Sequence, residues 1–183
     1  MQNTGLTTVS GIAKPGYRAF QALNDAGDSI VNAITVKENG ASLNVSSPFA
    51  MFATLDNIDN TSAARSSLKV FLSLWGNPAA AKDPTLVTAN RTVSISVRTD
   101  LDDDSDETEP VAAAVAWVTR IDATHCAPRK RWESMGAPAR PTTSQLAELK
   151  ASSRVAREQV QMDDGGDVTL ELSANSALLL EFE

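Results

Sequence analysis

The run "TRIDATHCAPRKRWESMG", residues 119–136, places the chain's one histidine and one cysteine, His125 and Cys126, among Arg120, Arg129, Lys130, Arg131 and Trp132. A thiol beside an imidazole and near cations is the setting in which a cysteine becomes a nucleophile. Two features oppose that use. Adjacent residues of an extended segment point to opposite sides, and a catalytic histidine is normally delivered from elsewhere in the fold. The chain has no second histidine to deliver. The run is expected to serve structure rather than catalysis. Trp132 could stack on a sugar or nucleotide ring, but its expected role is to plug the loop, with the neighbouring cations solvated around it.

A second concentration of chemistry is acidic: Asp100, Asp102, Asp103, Asp104, Asp106, Glu107 and Glu109. An EF-hand calcium loop needs glycine at its sixth position and glutamate at its twelfth. Counted from Asp100, those places hold Ser105 and Val111. A glycosidase pair needs two carboxyl groups fixed across a scissile bond, which a self-repelling loop does not supply. The run is expected to be an extended hairpin loop between two strands, with no metal site.

Composition limits the partners. Sixteen basic against twenty-three acidic residues leave a net charge of −7, which opposes nonspecific attraction to nucleic acid or an anionic membrane. A single cysteine forms no internal disulfide, and the lone His and Cys cannot build a structural zinc site. With 42% apolar against 21% charged residues, the chain has enough material for a packed core of one domain. No signal peptide is read at the N-terminus, and no apolar run is long enough to span a membrane. Asn44, Asn60 and Asn90 stand in Asn-x-Ser/Thr sequons and are candidate N-glycosylation acceptors.

Periodicity sets the elements that must position these residues. "KPGYRAFQALNDAGD" predicts a helix with Pro15 in its first turn, Gly27 as C-cap and an apolar stripe of Tyr17, Phe20 and Leu23, expected to be a packing face. "SIVNAITV" and "ASLNVSS" flank Asn39-Gly40, a hairpin signal. "PFAMFATL" reads as a strand. "SLKVFLSLW" puts Leu68, Val70, Leu72 and Leu74 on one side and Phe71 on the other. "RTVSISVRT" and "VAAAVAWVTRI" alternate as half-buried strands, the second through Val115, Trp117, Thr119 and Ile121. Thr142 and Gln145 form a capping box that opens a helical segment over about 141–160. "DVTLEL" and "ALLLEF" predict a final hairpin after the Asp-Asp-Gly-Gly turn at 163–166. The fold class is mainly β, an antiparallel, jelly-roll-like β-sandwich with an N-terminal helix and one inserted helical segment.

One segment also resembles a known family. "VTRIDATHCAPRKRWESMGAPARPTTSQL" is similar to the C-terminal β-sandwich region of glycoside hydrolase family 39, the group of α-L-iduronidases and β-xylosidases. Arg120, Ile121, Asp122, His125, Pro128, Trp132, Met135, Gly136, Pro138 and Pro141 fall in order on that family's pattern. The sequence departs at Ala127, where the family often has asparagine. "GIAKPGYRAFQALNDAGD" resembles the last helix of the family's catalytic (β/α)8 barrel, "ANRTVSISV" a strand before the motif, and "DVTLELSANSALLLEFE" the closing strands.

The resemblance implies two parts: residues 1–27 as the last barrel helix with its linker, and 28–183 as the sandwich. It implies a structural motif of Arg120, Asp122, His125, Pro128, Trp132, Gly136 and Pro138, with His125 a loop anchor and Cys126 on a variable place. Family members are retaining glycosidases whose two glutamates sit on barrel strands, and those strands would precede Met1. No catalytic residue, cofactor or metal ligand is therefore carried onto this chain. The implied partner is the barrel, in cis or in trans; another protein surface or a carbohydrate is the remaining candidate. The family points to a secreted or lysosomal setting.

Overall fold

The computed structural model describes residues 5–27, 29–31, 34–38, 41–42, 49–55, 67–74, 90–97, 115–163 and 165–182. The Asn39-Gly40 turn, Asn44, Asn60 and the acidic run 100–109 lie outside them.

The chain is a two-sheet antiparallel sandwich. The large sheet has six strands in the order β1-β4-β5-β10-β7-β8: Ser29–Val31, Phe49–Leu55, Leu68–Leu74, Ser176–Phe182, Ala116–Ile121 and Arg157–Val160. The small sheet has four in the order β3-β2-β6-β9: Ala41–Ser42, Ile34–Glu38, Arg91–Val97 and Val168–Leu172. Alternation explains the small sheet. Val93 and Ile95 on β6, with Val168, Leu170 and Leu172 on β9, are buried against the large sheet, and Thr92, Thr169 and Glu171 face water.

The large sheet is buried on both faces at its centre. Leu68, Val70, Leu72 and Leu74 of β5 enter the inter-sheet core, and Phe71 enters a second apolar cluster on the other side. β10 does the same with Leu178, Leu180 and Phe182 inward and Ala177 and Leu179 outward. A strand apolar on both faces gains most as a central strand, and β10 lies between β5 and β7.

That double burial overturns the expected final hairpin. β9 and β10 do not pair: β9 joins β6 in the small sheet, and the short link between them crosses to the other layer. Asn175 makes the corner at φ 57, a left-handed conformation that asparagine tolerates better than most residues. β6 and β7, the described strands on either side of the acidic run, likewise belong to different sheets and do not pair as a hairpin. On β7 the residues entering the main core are Ala116 and Val118, whereas Ile121 belongs to the outer cluster and Thr119 is also buried.

Among the described residues three helices accompany the sheets: α1 (Pro15–Asp25), α2 (Pro128–Ser134) and α3 (Thr143–Ser152). The capping box opens α3, with Gln145 N–H donating to Thr142 Oγ1 and Thr142 N–H to Gln145 Oε1. The helical segment then ends at Ser152, and "REQV" forms edge strand β8 instead of more helix. α2 was not expected from the sequence. α1 ends in an extended Ala26 rather than a glycine cap, and Gly27 N–H donates to the buried Thr54 Oγ1 at 2.8 Å.

α1 packs with its small face. Ala22, flanked by Ala19 and Ala26, sits over Phe71, Ile121, Ala177 and Leu179. Alanine lets the helix backbone approach the sheet closely. Tyr17, Phe20 and Leu23, the expected packing stripe, stay exposed at 40%, 61% and 42%.

Candidate functional site

The segment that first suggested chemistry begins where β7 ends. Asp122 turns the chain: its Oδ1 accepts from Thr124 N–H at 2.6 Å, Thr124 Oγ1 at 2.8 Å and His125 N–H at 2.7 Å. Its Oδ2 lies 2.8 Å from His125 Nδ1, and Asp122 N–H donates to His125 O at 3.1 Å. Aspartate is suited to this role because a carboxylate accepts from several donors of its own loop at once. Burial raises the Asp122 pKa most, but the bonds from His125 and Thr124 together outweigh it and bring it from 3.8 down to about 2.

The sign of the pH effect follows. A depressed carboxylate contributes stability in full above its unfolded value, and the contribution disappears as pH falls through the folded value. The stability difference between the natural chain and Asp122→Ala is expected to be flat from neutral pH down to about 5 and to shrink toward pH 2. After allowance for solvent at this partly exposed loop, the pH-dependent part is about 1–2 kcal/mol. Urea titrations across that range check it.

Cys126 follows in a left-handed conformation, φ 56, and is buried. Its Sγ donates to Arg154 O at 3.2 Å, with Arg120 O at 3.7 Å. Burial pushes the thiol pKa up, Arg18 opposes this, and Asp122 adds to it. A thiol kept protonated and turned inward is not a nucleophile. It ties the end of β7 to the segment after α3, and Arg18 of α1 joins the same point through Ser153 O at 2.7 Å.

The other motif residues each hold part of this connection. Arg120 Nη1 donates to Glu171 O at 3.0 Å and so bridges the sheets at one end of the sandwich. Glu171 Oε1 also accepts from Asn90 Nδ2 at 2.6 Å, so the sequon asparagine, though exposed, uses its amide within the protein. Pro128 is buried in the first turn of α2. Trp132 is half-buried, and its indole N–H donates to Pro138 O at 3.1 Å, closing the turn between α2 and α3. The cations beside it are not all simply solvated: Arg129 pairs with Glu133, and Arg131 pairs with Glu148 on α3.

Gly136 ends α2 at φ +83, with nothing within 4 Å of a built Cβ. Space is therefore no obstacle to a side chain there, and only backbone conformation is. Gly136→Ala is expected to cost about 1 kcal/mol, read from the urea midpoint. A neutral result would mean that the loop relaxes out of the left-handed region.

A groove of about 770 Å³ opens between α1 and the outer face of the large sheet. Phe20, Leu23, Phe71, Leu74, Ile121 and Ala177 form much of its apolar wall, and Asp122 with Ala123 brings the motif loop to its rim. Among the described residues no three His, Cys, Asp or Glu side chains converge as a metal set, and no helix is long and apolar enough to cross a membrane. The arrangement can dock an apolar surface. Among the described residues that line it, Asp122 is the one carboxylate.

No protein-family model matches the sequence, and no curated protein matches it. Solved structures do. The chain superposes on a GH39 β-xylosidase of Caulobacter crescentus with TM-score 0.55 at 19% identity, covering 98% of this chain and 30% of that one. The fold is shared with part of GH39 β-xylosidases. A monomeric β-xylosidase of Caulobacter crescentus CB15 gives TM-score 0.58 at 19% identity, over 98% of this chain and 32% of that one. A GH39 enzyme of Xanthomonas axonopodis pv. citri gives 0.57 at 18%, with the same coverage. The chain thus spans under a third of the GH39 chains it matches, and at this identity the likeness establishes the fold.

Within that GH39-like fold, the structure gathers Asp122, His125 and Cys126 into one loop. It places Arg120 at the junction of the sheets, and Pro128, Trp132, Gly136 and Pro138 in the α2–α3 unit. Sequence reasoning missed Thr124, Ser153 and the groove. Asp122-x-Thr124 was a readable Asx-turn signal; the groove had no local signal.

Proposed function

We propose that this chain is the non-catalytic β-sandwich portion of a GH39-like glycosidase and that it buttresses a (β/α)8 catalytic barrel. The parent activity on this reading is retaining hydrolysis of xylosidic or iduronidic bonds, with both glutamates on the barrel. Residues 1–27 then supply the last barrel helix and linker, and 28–183 the sandwich. The observation that carries the reading is the apolar stripe of α1, exposed beside an apolar groove, on a chain whose fold matches under a third of GH39 β-xylosidases. A core already filled by other side chains does not need Phe20, so the stripe is free to be covered from outside.

The same stripe supports one other reading, a free-standing binding or assembly module that uses the face without any glycosidase activity. The genomic sequence upstream of the Met1 codon separates the two. A barrel carrying an Asn-Glu dipeptide at a strand end supports the first, and its absence supports the second. The non-catalytic assignment is tested on aryl xylosides and iduronides. Turnover by the purified chain that a point substitution within it abolishes would overturn both readings.

A further inference from the structure

Large hydrophobic side chains left in water are concentrated near the start of the chain. Among the described residues, Leu6, Val9, Tyr17, Phe20 and Leu23 are five of the eight that stay exposed, and four of the five belong to one surface. An α-helix turns by about 100° per residue, so Gly16, Tyr17, Leu23 and Asn24 of α1 all fall within about 60° of Phe20. Each of the five is exposed and none is charged. Leu6 joins them at one end, where its Cδ2 lies 3.8 Å from the place of a Cβ on Gly16. Arg18 and Asp25, the charged residues of α1, lie about 140–160° round the helix from Phe20.

This uncharged surface is arranged symmetrically about Phe20. Tyr17 and Leu23 stand one turn before and after it, and Gly16 and Asn24 one residue farther out. Round the helix, Tyr17 and Asn24 lie to one side of Phe20, Gly16 and Leu23 to the other. Laid antiparallel on a second copy, with the two Phe20 rings at the centre, the helix brings Leu23 onto the other copy's Gly16 and Tyr17 onto its Asn24. Each large side chain meets a smaller one. Gly16 also borders the groove, so Leu23 enters at an open edge.

The amount of surface also suits a closed pair. Leu6, Tyr17, Phe20 and Leu23 together leave roughly 350–400 Å² uncovered at their observed exposures. A stable interface takes about 800 Å² from each partner, a little over half of it nonpolar. These four side chains supply most of that nonpolar share. A charged partner would find no opposite charge on this strip, whereas a second copy finds its large and small positions already matched. A patch that complements itself is what a two-fold contact requires.

We propose that this face pairs with a second copy of the chain, α1 against α1 and antiparallel, about a two-fold axis at Phe20. The inference rests on the assembly-module reading of the α1 face and names its occupant. The two fail separately. A monomer with no barrel upstream removes this pairing and leaves the module with a different partner. A dimer of this geometry with a barrel upstream keeps the pairing and removes the free-standing module.

The test is disulfide trapping of the 183-residue chain, with sedimentation as the second readout. An equal mixture of Tyr17→Cys and Asn24→Cys chains is expected to cross-link under mild oxidation, because those positions face each other across the pair. Either variant alone should cross-link about tenfold less, since two copies of position 24 stand about 12 Å apart along the helix and two of position 17 about 9 Å, beyond the ~7 Å Cα limit of a disulfide. Cys126 is buried and takes no part. Gly16→Cys mixed with Leu23→Cys is the second pair should the first fail to fold. The natural chain should sediment at twice its 19.4 kDa. Each copy carries −7, so added salt should tighten the dimer rather than loosen it. A monomer with no cross-linking in either mixture, equal cross-linking of the single variants, loosening by salt, or open-ended aggregates in place of a closed pair overturns the proposal.

Discussion

Asp122→Ala is expected to lower folding stability by about 3 kcal/mol, the largest loss from any single residue of the motif. The carboxylate accepts from Thr124 N–H, Thr124 Oγ1 and His125 N–H and contacts the His125 ring. Alanine removes every one of these acceptors while the loop donors remain. Hydrogen bonds to a charged group contribute roughly 1.5–3 kcal/mol each when buried, and water recovers part of that at a rim as open as this one.

The loss should appear as a melting temperature lower by about 6–12 °C for a chain of this size. Asp122→Asn keeps one oxygen for the two backbone N–H groups and should lose about half as much. If Asn and Ala cost the same, the charge rather than the acceptor geometry holds the loop. If Ala costs under about 1 kcal/mol, the loop does not depend on Asp122 at all. Either variant also bears on the groove, because Asp122 and Ala123 stand at its rim.

Phe20→Glu combined with Leu23→Glu is expected to change association rather than folding. Phe20 is 61% exposed and Leu23 42%, so the urea midpoint should move by no more than about 0.5 kcal/mol. Covering a phenylalanine and a leucine is worth about 1.5–3 kcal/mol each. Removing both should weaken any complex made through this face by about a hundredfold or more. The isolated natural chain, with the stripe uncovered, is expected to self-associate or be poorly soluble, and the double variant to sediment as a monomer. A natural chain that is already monodisperse and monomeric would count against the docking role.

Local features of the fold were legible because they are short-range. The Leu68, Val70, Leu72 and Leu74 row with Phe71 opposite predicts a strand buried on at least one side, and the structure buries both faces. Thr142 with Gln145 announces a helix start, since a capping box is closed within four residues. The failures share one cause. "SANS" between two apolar strands looks like a hairpin because alternation tells which faces are buried but not which strand is the neighbour. β10 needs cover on both sides and obtains it in the large sheet, and β9 needs cover on only one. On β7, Thr119 and Ile121 of the expected row are buried, but Ala116 and Val118 lie deeper than Trp117, and size is a poor guide to depth where sheets approach closely.

The sequence by itself determined the alternating strands, the capped helix, the improbability of a Cys-His nucleophile and the motif resemblance, all of which depend on residue type and spacing along the chain. Tertiary structure decided the division of strands between sheets, the inward turn of Cys126, the bond from Arg120 to Glu171 across the sandwich and the exposure of Phe20. Each of these depends on which distant segment comes to lie alongside. Ala19, Ala22 and Ala26 could pack α1 closely, but only the sheet beneath them determined that the larger apolar side chains were left outside.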